Sequence, residues 1–317
     1  MSTLTTPPNG CSPRDDAAQL HKALKGLRSD TAKIVNILAH RDSEQRDLIQ
    51  QAYETSFSEP LYKRISTDLH GHVKRALKLW LHDALTRDAI IIRKALTSSP
   101  VVDYQAVNEI ICSRTPSQIR RFKDAYLSTY HSNLDEDLDK QLSGDHKKLL
   151  VAYITIQRYE GPELDEALVQ QDAQQLYKSA DKKVGTDEKT LIRIFSERSS
   201  THLAAVSSAY KASFGTPLEK ALKQQASGLF LRCLLIILRC AINPSMYFAK
   251  ILRKAIKGMG TGDTRLIRVI VTRTEIDMQY IKEAYLTKYG KPLSVAVRSD
   301  TSGHYRDFLL QLLGSDY

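Results

Sequence analysis

Cysteine is scarce in this chain: Cys11, Cys112, Cys233 and Cys240 are scattered through 317 residues. So few thiols exclude a disulfide-built scaffold and fit a reducing compartment, the cytoplasm. Long apolar runs are also missing. The longest, Leu229 to Ile242, has 14 residues and carries Arg232 and Arg239. A membrane-spanning helix needs about 20 apolar residues, so a buried core helix is expected there. Met1 to Asp15 lacks an apolar segment, and no signal peptide is expected. Nor does any segment alternate as a half-buried strand does. No G-x-x-x-x-G-K-S/T loop is present, which removes the usual phosphate cradle. Asp68-Leu69-His70-Gly71 has only the form of a D-x-x-G element, so nucleotide hydrolysis is poorly supported. Acidic residues are outnumbered, 36 against 46 basic, giving a net charge of +10. That excess favours anionic partners: acidic membrane surfaces, nucleic acid or acidic proteins.

What the chain does contain is a repeat, the first thing to seek in a chain of this length. Arg41, Arg114, Arg198 and Arg273 each stand beside or next but one to a Ser or Thr. Twelve residues after each comes Tyr53, Tyr126, Tyr210 or Tyr285, and eighteen further on Gly71, Gly144, Gly228 or Gly303. Successive copies are offset by 73, 84 and 75 residues. Four repeats are therefore expected: 15–86, 87–158, 172–243 and 244–317, with a flexible tail over 1–14 and a linker over 159–171. Each reads as helix. Leu191, Ile192, Ile194 and Phe195, and Leu266, Ile267, Val269 and Ile270, keep the i, i+3, i+4 stripe. Thr115-Pro116-Ser117-Gln118 is a capping box, and Thr186 is a candidate cap ahead of Asp187 and Glu188. The fold class is all-α, with several short helices per repeat.

The fourth repeat carries the chemistry. Lys257-Gly258-Met259-Gly260-Thr261 is followed by Asp300, 42 residues after Gly258. Glycines can turn their carbonyls outward, and a hard cation such as Ca²⁺ takes 6–8 oxygens, ideally with a bidentate carboxylate. Two or three carbonyls and one acid leave positions for water or an outside phosphate. In the first repeat the same frame gives Gly26, Arg28 and Asp68, with Arg28 where the fourth has Gly260. Positive φ costs a non-glycine residue about 1 kcal/mol or more, and Arg28 adds a like charge to a cation site. The second repeat has Ser99 and Gln141, so both parts are gone. The third keeps Gly185 but offers only the neutral Gln225. The expected ranking is repeat 4, then 1, then 3, with repeat 2 empty.

Four repeats, a long middle linker and the K-G-x-G-T…acid signature resemble the annexins. Ser12-Pro13-Arg14-Asp15-Asp16-Ala17, Ala39-His40-Arg41 and Tyr247-Phe248-Ala249-Lys250 resemble the plant branch. The likeness covers the chain from Asp15 onward. It implies about five helices per repeat in a curved disc, and calcium-dependent binding to acidic phospholipid membranes by a cytoplasmic protein recruited peripherally. By residue match it implies Ca²⁺ ligands at Ile256, Gly258, Gly260 and Asp300, and a second set at Leu24, Gly26, Arg28 and Asp68.

Other motifs carry less. Asp135-x-Asp137-x-Asp139 begins like an EF-hand, but Lys140 replaces the required Gly and His146 the closing Glu. His70-Gly71-His72 has no matching Cys or carboxylate pair. His40 matches a histidine invoked for peroxidase activity in plant annexins, and Cys112 and Cys240 match a proposed redox pair. Ile192-Arg193-Ile194 resembles a tripeptide linked with actin binding, though a core helix with one exposed Arg is the simpler reading. No enzymatic mechanism is expected, because no nucleophile–base or phosphate-cradling constellation is visible. Specific nucleic-acid binding is not expected. The rival to membrane binding is a basic α-helical repeat protein that holds RNA or acidic partners by charge. Salt would release that protein, whereas chelator would release a calcium-bridged one.

Overall fold

The computed structural model describes residues 1–7, 12–26, 29–97, 101–179, 187–257 and 262–316. Among them are twenty α-helices and no strand, five helices to a repeat. The first repeat has α1 (Pro13–Leu24), α2 (Thr31–Leu38), α3 (Ser43–Phe57), α4 (Leu61–Asp68) and α5 (Gly71–Trp80). The second has α6 (Ala84–Thr97), α7 (Tyr104–Cys112), α8 (Pro116–Tyr130), α9 (Leu134–Gln141) and α10 (Gly144–Thr155). The third has α11 (Glu166–Lys178), α12 (Glu188–Glu197), α13 (Ser200–Phe214), α14 (Leu218–Gln225) and α15 (Gly228–Ile242). The fourth has α16 (Pro244–Lys257), α17 (Gly262–Arg273), α18 (Met278–Tyr289), α19 (Leu293–Asp300) and α20 (Gly303–Leu313).

The landmark residues hold each repeat together. The four tyrosines are buried, at 0, 0, 3 and 0% exposure. The four glycines open α5, α10, α15 and α20 at φ of 65, 61, 60 and 58°, a left-handed turn that a β-carbon would strain. The arginines tie the loop between the second and third helices of a repeat back to its first helix. Arg41 grips Asp16 at 2.7 and 2.9 Å, Arg114 grips Asp88 at 2.6 and 2.8 Å, and Arg198 reaches Asp172 at 2.6 and 3.3 Å. The fourth repeat has no acid at that place. Arg273 lies 4.6 Å from the Phe248 ring and turns to Asp277, at 2.7 and 2.6 Å. Asp277 then makes no side-chain cap for α18, whereas Asp42, Thr115 and Ser199 cap α3, α8 and α13.

The chain forms two compact units. One comprises Met1–Arg87 and Phe248–Tyr317, that is, the first repeat and nearly all of the fourth. In it α2 and α5 pack on α20, and α5 on α17. Buried Arg46 and Arg87 lie 3.8 and 4.9 Å from the Trp80 ring, and Glu275 of the fourth repeat pairs with both at 3.1 and 3.4 Å. The Trp80 indole donates to the Leu38 carbonyl at 2.7 Å. The other unit, Asp88–Tyr247, packs α7 on α15 and α10 on α12 and α15. The apolar run is α15, buried from Cys233 to Leu238. No described helix is long and apolar enough to cross a membrane.

Two expectations need correction. The N-terminal residues do not all form a flexible tail: Thr3 is buried and donates from its amide to Thr274 O at 3.0 Å and from its hydroxyl to Leu312 O at 2.7 Å. Met1 O accepts from Gln279 N at 3.0 Å. A polar segment with no periodicity gives no sequence signal for such docking, because its bonds are to distant backbone. At α12, Thr186 lies outside the described residues, and the cap is Asp187, which accepts from Thr190 N at 3.1 Å.

Candidate functional site

In the fourth repeat the site is set by two helix ends that approach closely. A β-carbon on Gly262, the first residue of α17, would lie 2.1 Å from the Ala255 carbonyl of α16, so only glycine permits this approach. The segment they bracket holds Gly258 and Gly260, which lie outside the described residues. Ile256 sits in the last turn of α16, where backbone carbonyls carry the negative end of the helix dipole. Asp300 ends α19 and is exposed. It has no hydrogen bond or ion pair to any described residue. Partial burial and then the Asp263 charge push its carboxyl above the ordinary carboxylate range. Burial, then Asp263 and Asp300, also raise the nearby Tyr305 hydroxyl. His72 Nε2 lies 3.5 Å from Asp263 Oδ2. Two carboxylates that repel each other, one of them in the first turn of α17 next to the end of α16, suit a hard divalent cation. Among the described residues no three His, Cys, Asp or Glu side chains converge, so such a cation would also need backbone oxygens.

The first repeat is built differently. Leu24 ends α1, and Gly26 follows with φ of +129°. Arg28 lies outside the described residues. Asp68 ends α4, and the Arg64 guanidinium fills the space between these two ends. Its Nε is 2.6 Å from Asp68 Oδ2, its Nη2 donates to the Leu24 carbonyl at 3.3 Å, and its Nη1 is 3.9 Å from Glu59. A protein cation thus holds one expected carbonyl ligand and the expected acid together. In the third repeat Gln225 is also occupied: it accepts from Ser179 Oγ at 3.2 Å and donates to Leu176 O at 3.5 Å.

The sequence pattern missed Asp263, Gly262 and Arg64. Only Arg64 left a signal, its i, i+4 spacing to Asp68, and such pairs are common on helix surfaces. The minor motifs are satisfied within the protein. Asp135, Asp137 and Asp139 pair with Lys123, Arg93 and Lys147 at 2.8, 2.7 and 2.7 Å. Arg193 donates to Gln175 at 2.5 Å and lies 3.8 Å from Glu197. His40 Nδ1 is 3.0 Å from both the Thr5 hydroxyl and the Thr5 carbonyl. Cys112, Cys233 and Cys240 form no disulfide among the described residues; Cys112 is fully buried, its thiol raised first by that burial and then by a hydrogen bond with Cys233.

The family model described as Annexin matches residues 15–80, 87–153, 171–237 and 247–312. The chain belongs to the annexin family. As an annexin it is similar to Annexin D5 of Arabidopsis thaliana, with 50% identity over 99% of each chain. Among solved structures it resembles annexin III, with a TM-score of 0.95 and 32% identity over 100% of this chain and 98% of that one. Calcium-bound annexin (Sm)1 gives a TM-score of 0.85 and 28% identity over 100% and 94%. The five-helix repeats described above are thus annexin repeats.

Proposed function

We propose that this annexin is a calcium-switched peripheral membrane protein whose main calcium site is in the fourth repeat. Ile256, Gly258, Gly260 and Asp300 would hold the ion, with Asp263 adding charge behind them. Bound Ca²⁺ would supply a bridge with open positions for a phospholipid phosphate. The chain's own part would be to offer a helix C-terminus and a carboxylate that has no cation among the described residues. One observation carries the reading: among the described residues Asp300 feels the charge of another carboxylate, Asp263, and pairs with no cation, whereas the other site-position acid, Asp68, is paired with Arg64. Calcium-bound annexin (Sm)1, a full-length neighbour, supports it.

The excess of basic residues adds a calcium-independent attraction of about 1 kcal/mol for each Lys or Arg near an anionic surface. Cytoplasmic residence with recruitment to acidic membranes follows from this mechanism, and no catalytic step is required. Sedimentation with phosphatidylserine liposomes, in calcium or in chelator, tests the proposal. Calcium should move the protein into the pellet and chelator should release it. Pelleting that ignores calcium but disappears with salt would establish the charge-only reading instead.

A further inference from the structure

We propose that Arg64 is a tethered cation that occupies the first repeat's site and raises the calcium needed there. The inference rests on the calcium reading above and deepens it by assigning what sets the threshold of one repeat. Three observations converge on it. Arg64 bridges the two ligand positions that a divalent ion would bridge, the Leu24 carbonyl and the Asp68 carboxylate. The landmark spacing places Asp137, Ala221 and Ala296 at the equivalent positions of the other repeats, so only the first repeat carries a cation there. Ala296 is buried, and nothing basic reaches Asp300 from that position.

The placement of the pair argues against helix stabilisation as its role. Asp68 stands at the C-terminal end of α4, where the helix dipole disfavours an anion. Arg before the acid is also the weaker order of an i, i+4 pair. What the geometry does achieve is neutralisation of a site-position carboxylate without metal. With both side chains partly exposed, the pair is weak enough for calcium to displace at higher concentration. The first repeat is thereby a high-threshold site beside a low-threshold one in the fourth.

The test uses the full chain carrying Asp300→Asn, so that the fourth repeat is silenced. Calcium for half-maximal sedimentation is measured on phosphatidylserine/phosphatidylcholine vesicles. Adding Arg64→Ala should lower that calcium about fivefold, the ceiling for a partly exposed ion pair. Arg64→Gln, which keeps most of the side-chain stem, should do the same. Adding Asp68→Asn to either should abolish the gain. An unchanged or increased calcium requirement overturns the inference, as does a shift seen with Ala and not with Gln, which would mark lost packing. Reduced vesicle binding in chelator on losing Arg64 also overturns it, by making Arg64 a direct lipid contact. A wild-type chain without any calcium response defeats the underlying site reading, and this inference with it.

Discussion

Replacing Asp300 by Asn separates the fourth repeat's site from the first. The substitution removes one charge and leaves a neutral oxygen of nearly the same shape. For an exposed carboxylate the dielectric is close to that of water. A dication about 2.4 Å from one charge then gains roughly 3.5 kcal/mol at ε of about 80. The amide oxygen recovers part of this, so a net loss of about 1.5–3 kcal/mol is expected. That corresponds to a ten- to hundredfold rise in the calcium needed for half-maximal liposome binding. The calcium-free fold should not suffer, because Asp300 forms no ion pair among the described residues and its loss removes repulsion from Asp263. Asp68→Asn has a smaller stake: it breaks a partly exposed pair with Arg64, worth about 0–1 kcal/mol, at a site already neutralised. Its calcium shift should stay below about threefold while the fourth repeat works. The assay is co-sedimentation across a calcium series, with thermal unfolding in chelator as the folding control. Equal shifts from the two substitutions, or a shift below about threefold for Asp300→Asn, would refute the argument.

The single tryptophan, Trp80, lies in the unit that contains both acid-bearing repeats. Its fluorescence should therefore report a higher melting temperature in calcium, the native state gaining about 2.7 kcal/mol of stability at a hundred times Kd, and no shift would contradict both sites. Burial holds the His146 imidazole down at about 4, with Nε2 donating to Asn108 Oδ1 at 2.8 Å. Between its ordinary value near 6.5 and about 4 the unfolded chain takes up the proton and the native chain does not, so stability is full above that window and falls as pH drops through it. After discounting for residual solvation the loss is about 2 kcal/mol, and denaturant titrations of His146→Gln should show a flatter pH dependence than wild type. The net charge of +10 should also give binding to acidic liposomes in chelator at low salt, and its absence at every ionic strength would disprove this electrostatic contribution.

Spacing made the fold legible because each landmark has one physical task that repeats. A buried tyrosine, a left-handed glycine and an arginine seeking a buried carboxylate leave the same residue at the same place four times. The stripe residues Leu191, Ile194 and Phe195 are buried, and Thr115 and Gln118 form the reciprocal capping box. The acid-or-amide choice at 68, 141, 225 and 300 was legible for the same reason. Arg64 was not. Its meaning depends on reaching the Leu24 carbonyl, forty residues back, and an arginine four residues before an aspartate otherwise looks like ordinary helix surface. Asp263 escaped because its partner Asp300 comes from another helix. Arg28 attracted the sequence argument instead, since it was the visible departure from a glycine pattern.

The disposition of carboxylates then separates structure from function in this annexin. Asp16, Asp88, Asp172 and Asp277 are each gripped by the landmark arginine of their repeat. Glu219 is held down at about 2, chiefly by its hydrogen bond with Arg239. Asp135, Asp137 and Asp139 have cations, and so does Asp68. In each case the acid's charge is neutralised within the fold, which stabilises it. Asp300 departs from that rule: its carboxyl is raised by partial burial and then by another acid, Asp263, whose one ion-pair partner among the described residues is a histidine at 3.5 Å. A basic chain could readily have supplied a lysine or arginine here, as it supplied Arg64 in the first repeat. Leaving like charges together lowers stability, and such local conflict is expected where a site awaits a ligand. A cation from outside would resolve it, as the calcium site proposed for the fourth repeat requires.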